Sequence, residues 1–177
     1  MSTTGTPALL TVTGPDRPGV TARVTAVLAS HGAELVDVEQ VVINGHLSLG
    51  LMTRVDENAD AVAVVRELTE QVNDLGMQLD VQFDDLAPAA PPSTHAVVVL
   101  GSPVTASAFS AVTGSLATIG ANIDSIRGIA DYPVTGLELH VSTVGRDAAD
   151  DSLLRETLAP LADAHGVDIS VDKAGLG

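Results

Sequence analysis

The sequence predicts an α+β protein in which one β-α-β-β-α-β unit, with a four-stranded antiparallel sheet, is used twice. Three observations carry this. Apolar spacing switches between a period of two and a period near 3.6 in the same order in each half. Features recur at an offset of 88 residues, which lays Gly32 on Gly120, Leu49 on Leu137 and Leu51 on Leu139. Between the halves, DDLAPAAPPST at 84–94 holds three prolines and little apolar surface, the composition of an extended linker. The units are therefore expected at 1–84 and 95–177, joined by a linker over 85–94.

Each element follows from local chemistry. The apolar run 8–12 reads as a first strand, ended by the turn GPDRPGV at 14–20. Val20, Val24, Val27 and Leu28 then stand at i, i+4, i+7 and i+8, the stripe a helix buries against a sheet. Residues 35–43 are rich in β-branched side chains, and Asn44-Gly45 is a two-residue hairpin signal. Leu47, Leu49, Leu51, Thr53 and Val55 alternate along the returning strand. Asn58 or Asp60 is placed to cap a second helix with the stripe Val62, Val65, Leu68, Val72 and Leu75, ended at Gly76. Met77, Leu79, Val81 and Phe83 alternate on the last strand. The second half repeats the plan with strands at 96–100, 122–129, 137–144 and 167–172 and helices at 104–119 and 150–165. Pro160 lies inside the last helix, where proline costs about 3 kcal/mol in a regular interior, so a kink or a late restart is expected. This element order is the ferredoxin-like fold, a scaffold shared by unrelated functions.

Composition narrows the functions. Against 23 acidic residues stand 8 basic ones, and a net charge of -15 repels phosphate backbones and anionic membranes, so neither nucleic acid nor a membrane is an expected partner. Phe83, Phe109 and Tyr132 are too few aromatics for a base-stacking sheet. The absence of cysteine excludes disulfides, thiolate metal sites and C-x-x-C metal carriers, and fits a cytoplasmic protein. No basic start with an apolar core and no run approaching 18 apolar residues is present, so no signal peptide or membrane span is expected. Arg17 sits in the first loop without the glycine-rich surround an acylphosphatase needs. His31, His46, His95, His140 and His165 lack metal-binding spacing and read as surface or loop residues. The doublets Asp84-Asp85 and Asp150-Asp151 read as solvated faces or caps.

The turn before the first helix is the chemically loaded stretch. A helix N-terminus offers unpaired N–H groups and a partial positive charge of roughly half a unit, which suits a carboxylate. Gly19 lets a ligand approach the backbone, so the N–H groups of Gly19, Val20 and Thr21 can hold an α-carboxylate. Asp16 either receives an ammonium or caps the helix, and Pro18 fixes the first turn without wasting a donor. The competing structural reading makes Asp16 an N-cap, Pro18 a helix starter and Gly19 incidental. In the second half Asp16, Pro18 and Gly19 fall on Val104, Ala106 and Ser107, so the signature is lost. Ser102 and Ser107 remain small and polar there, and Asn122 and Ser125, opposite Glu34 and Asp37 of the first half, are further candidate contacts together with Asp37 itself.

A strand ending in GPDRPGV at the mouth of the first helix resembles the ACT domain, a small amino-acid-sensing module. THAVVVLGSPVTASAFSAV at 94–112 and IDSIRGIADYPVTGLELHVS at 123–142 are similar to the second of two ACT domains that precede the catalytic part of actinobacterial phosphoserine phosphatases. The resemblance spans essentially the whole chain. It implies a regulatory region that binds an amino acid, L-serine as the pathway's end product, and forms a homodimer with allosteric feedback on serine biosynthesis. The family's catalytic part is a haloacid-dehalogenase-type domain whose D-x-D-x-T motif takes the phosphoryl group beside Mg²⁺. No two aspartates here stand two apart, so this chain alone is expected to have no phosphatase activity and no catalytic residue. No cofactor is expected in these residues, and Mg²⁺ belongs with a catalytic part expected beyond Gly177. Two other readings remain: a free-standing tandem regulator resembling glycine-cleavage repressor accessory proteins, and a ligand-free dimerisation scaffold.

Overall fold

The computed structural model describes residues 5–56, 59–83, 92–131, 133–143 and 148–174. The chain divides into two compact units, Met1–Pro88 and Ala89–Gly177. Residues 85–91 of the predicted linker, Asn58, Tyr132 and the doublet Asp84-Asp85 lie outside the described residues.

The first unit runs β1 (Thr6–Pro15), α1 (Val20–Ser30), β2 (Glu34–Ile43), β3 (His46–Val55), α2 (Ala61–Asp74) and β4 (Gln78–Phe83). Its antiparallel sheet has the order β2-β3-β1-β4. Asn44 and Gly45 both take positive φ (48° and 76°), the tight-turn geometry whose twist suits a hairpin, and this sets Ile43 opposite His46. The predicted stripes of α1 and β3 meet: Val20, Val24, Val27 and Leu28 pack with Leu47, Leu49 and Leu51 beneath them. Thr53 is buried on the same face and donates its hydroxyl to the Ala8 carbonyl at 3.2 Å. Asp60 caps α2, its carboxylate accepting from the Val62 and Ala63 N–H groups at 3.1 Å.

The α2 stripe needs correction. Val64, Leu68, Val72 and Leu75 face the core, whereas Val62 is 78% exposed and Val65 only half-buried. Val62 and Val64 are separated by 200° on a helix, so choosing Val64 as anchor rotates the buried face away from Val62.

The second unit repeats the order with β5 (His95–Gly101), α3 (Ala106–Thr118), β6 (Asn122–Ala130), β7 (Thr135–Ser142), α4 (Ala148–His165) and β8 (Asp168–Lys173), its sheet running β6-β7-β5-β8. Val97, Val99, Val112, Leu116, Leu139, Leu154 and Leu158 form its core. The repeat offset is 88 on the helices (Val24, Val112) but 87 on the first strand, where Leu10 faces Leu51 and Val97 faces Leu139. The second unit therefore carries one more residue between the buried positions of its first strand and those of its first helix, although four residues separate the two elements in each unit. α4 runs through Pro160 without a restart: Pro160 is exposed, while Leu154 and Leu158 anchor the helix on its other side. His95 is the exception among the histidines, 5% exposed on β5 rather than at the surface, because its position alternates with Val97 and Val99 on the core face.

Candidate functional site

The sequence GPDRPGV builds an open helix start. β1 ends at Pro15, and the Asp16 N–H donates to the Gly45 carbonyl at 2.8 Å, tying the loop to the hairpin turn. Pro18 and Gly19 form the turn that follows, Gly19 taking φ 89° and ψ 0°, values of the third residue of a type II turn. Gly19 is the N-cap of α1 and offers no side chain to the helix. Pro18 thus stands before the cap rather than at the first helical position, and Asp16 does not cap: the type II turn puts the cap, Gly19, one residue beyond the proline and starts α1 at Val20. The first intrahelical bond is Arg23 N–H to the Gly19 carbonyl at 3.0 Å, which leaves the N–H groups of Val20, Thr21 and Ala22 directed out of the helix start.

These groups border a concavity of about 440 Å³ whose other walls are Asp16, Arg17, Gln40 and Leu47. The Thr21 hydroxyl donates to Gln40 Oε1 at 2.7 Å, so the Gln40 amide nitrogen keeps both its protons for another partner. Gln40 was not singled out from sequence. The hairpin register could have found it: Val42, Gln40 and Val38 lie opposite Leu47, Leu49 and Leu51, and so on the helix side of the sheet. Asp37 lies opposite Met52, on the other face, because a bulge between Leu35 and Asp37 shifts the alternation. Its carboxylate accepts from the Val38 N–H at 2.8 Å, and it is not part of the concavity. Of the predicted residues, Asp16, Pro18, Gly19, Val20 and Thr21 are brought together.

The second unit closes the corresponding position. Thr105 is the N-cap of α3 and its hydroxyl accepts from the Ala108 N–H at 3.1 Å, so a side chain of the protein occupies the helix start that is left open in α1. By the helical offset Thr21 becomes Phe109 and Gln40 becomes Gly128, and the polar pair is gone. Ser102 lies in the loop after β5 and Ser107 on the exposed first turn of α3. Asn122 and Ser125 pair with Ser142 and His140, on the sheet face away from the helices, and do not converge on the α3 start. Asn122 is instead engaged with Asp124, whose carboxylate accepts from Ser93, Asn122 and Ser142 at 2.7–2.8 Å. Partial burial pushes the Asp124 pKa up, but these three hydrogen bonds and nearby His140 outweigh it and hold the carboxyl below its ordinary value. Among the described residues no group of three or more His, Asp or Glu side chains is arranged to hold a metal, and no helix is long and apolar enough to cross a membrane.

Fold and site together define a class: a small ferredoxin-like β-α-β-β-α-β module, present twice, whose first helix has an open start in the first copy and a threonine cap in the second. Family models described as ACT domain match residues 6–82 and 93–172, and the chain belongs to the ACT domain family. It is 45% identical over 170 residues to phosphoserine phosphatase SerB2 of Mycobacterium tuberculosis, covering 95% of this chain and 41% of that protein. It is 38% identical over 178 residues to a phosphoserine phosphatase of Streptomyces coelicolor, covering 98% of this chain and 42% of that protein. The chain thus spans about two fifths of the length of these relatives, and the part it matches is a tandem regulatory region. A crystal structure of a putative glycine cleavage system transcriptional repressor shares the fold at TM-score 0.69 and 14% identity, covering 96% of this chain and 97% of that one.

Proposed function

We propose that the chain is the amino-acid-sensing region of a phosphoserine phosphatase and that its first unit binds L-serine, the end product, as a feedback signal in the cytoplasm. The observation that carries this is the uncapped start of α1 facing the Thr21–Gln40 pair. A free amino acid has three features to recognise, and the concavity has a group for each. The N–H groups of Val20, Thr21 and Ala22 suit the α-carboxylate, Asp16 the ammonium, and the Gln40 amide a small hydroxyl. The identity to two phosphoserine phosphatases supports serine over other small amino acids.

Signalling requires two states that bind serine differently, and a homodimer supplies them. Edge strand β2 supports dimerisation: Leu35, Val36, Val38, Val41, Val42 and Ile43 are exposed along it, without the lysine or proline that protects solvent-facing edges. Thermal denaturation with each of the twenty amino acids tests the reading. Stabilisation by L-serine, lost in Gly19→Val, is the expected result; no response to any amino acid in either the chain or the full enzyme refutes it. The end-to-end match to the repressor fold favours a second reading, a free-standing regulator. The coding sequence after Gly177 separates the two, with D-x-D-x-T for the phosphatase or a stop codon for the regulator.

A further inference from the structure

We propose that His95 is a proton-operated latch between the entry of the second unit and the first turn of α4. Its ring is 6% exposed and its two nitrogens are unequally served. Nδ1 lies 2.9 Å from Thr94 Oγ1, while Nε2 is shut off from solvent without a hydrogen-bond partner, 4.0 Å from Asp151 Oδ1. Thr94 holds the chain's entry in place by four other contacts: its N–H and its hydroxyl reach the Val141 carbonyl (2.8 and 3.3 Å), its hydroxyl also lies 3.3 Å from Thr143 Oγ1, and its carbonyl accepts from Ala174 N–H at 2.9 Å.

A neutral imidazole carries one N–H and cannot donate at both ends. The imidazolium can. Nδ1–H then donates to Thr94 Oγ1, whose own proton goes to the Val141 carbonyl, and Nε2–H faces a carboxylate that has only to close the remaining gap. The other charges around the ring are few among the described residues. On α4, Arg155 donates to the same Asp151 oxygen at 3.2 Å; on β8, Lys173 stands opposite His95; on β7 the opposite residue is the uncharged Val141. Asp151, 28% exposed, is the carboxylate that faces the ring at Nε2. Protonation fastens α4 to β5, so acidification tightens this seam and a rise in pH loosens it. This latch is independent of serine binding in the first unit.

A double-mutant cycle on the full chain tests it, with denaturant unfolding of parent, Asp151→Asn, His95→Gln and the double variant near pH 5.5 and near pH 8. Expected is a coupling of about fivefold in the folded-to-unfolded ratio at the lower pH and none at the higher. Arg155→Gln, which removes only the neighbouring ion pair, should show no such pH dependence. Equal coupling at both pH values, or none at either, overturns the latch. If His95→Gln does not fold, the His95 ring resonances give the answer in parent and Asp151→Asn: a pH titration shifted by that substitution supports the latch, and an unchanged one overturns it.

Discussion

Replacing Gly19 by alanine separates the two demands placed on that residue. A Cβ there would meet no protein atom within 4 Å, so the cost to the free protein is backbone conformation alone. At φ 89° an L-residue is strained by about 1–2 kcal/mol, of which roughly 0.4–1 is returned by the stiffer unfolded chain. The net loss of up to about 1.5 kcal/mol lowers the melting temperature of a unit this size by up to roughly 12 °C. Gly76→Ala is the matched control, since Gly76 also has positive φ (69°) and open space around it but closes α2, away from the concavity. With L-serine at a hundred times its Kd the parent should gain about 2.7 kcal/mol. Gly76→Ala should keep that gain while Gly19→Ala loses most of it, because the open space a Cβ enters is where the proposed site brings the ligand to the backbone. The chain has no tryptophan, so a dye-based melt or circular dichroism is the assay. An undiminished serine response in Gly19→Ala refutes the assignment of the site.

Further outcomes follow from the second unit, the core and the sheet edge. Thr105→Ala removes the α3 cap and should cost about 1 kcal/mol in a denaturant melt while leaving the serine response intact. Asp124 has a lowered folded-state pKa, so its contribution is present above the ordinary carboxylate range and is lost as pH falls through the folded value. Asp124→Asn should therefore flatten the acid limb of the stability profile, read by denaturant melts from about pH 6 to pH 3. Leu68→Ala should cost about 2–5 kcal/mol, while Val62→Ser should stay within about 0.5 kcal/mol of the parent in the same melts. A Val36→Lys, Val41→Lys pair places two charges on the β2 edge and should shift a dimer toward monomer in light scattering, with circular dichroism unchanged.

The fold was legible where patterning and burial coincide. In β3 every second residue from Leu47 to Val55 is buried, and in α1 the four stripe residues are the four buried ones. The failures have local causes. Val62 looks like a stripe residue because α2 carries valine at 62, 64 and 65, and periodicity over one turn does not say which belongs to the core. Asp37 was singled out as the counterpart of Ser125 in the repeat, and that correspondence does not say which face of the sheet a residue takes; the register past the bulge sets Asp37 opposite Met52. Gln40 is polar on the helix side of an edge strand that no helix fully covers, so its role depends on the α1 start reaching over it. His95 reads as a surface or loop residue just before the predicted strand 96–100, and only its alternation with Val97 and Val99 marks it as buried.

The difference between the two helix starts is where sequence, structure and function meet. Both units bury the same helix faces, Val24 and Leu28 in one and Val112 and Leu116 in the other, so packing does not require their N-termini to differ. An ordinary helix gains from a hydroxyl or carboxyl cap, and α3 takes one from Thr105. α1 forgoes it, placing at its N-cap a glycine in a conformation that L-residues avoid, next to Gln40 whose amide is half-committed to Thr21. A glycine held at positive φ and a set of unsatisfied donors both cost stability, and neither serves the core. Their coincidence at a single concavity is what a binding site requires, and it supports the proposal that ligand recognition lies in the first unit, whereas the first helix of the second unit takes a threonine cap.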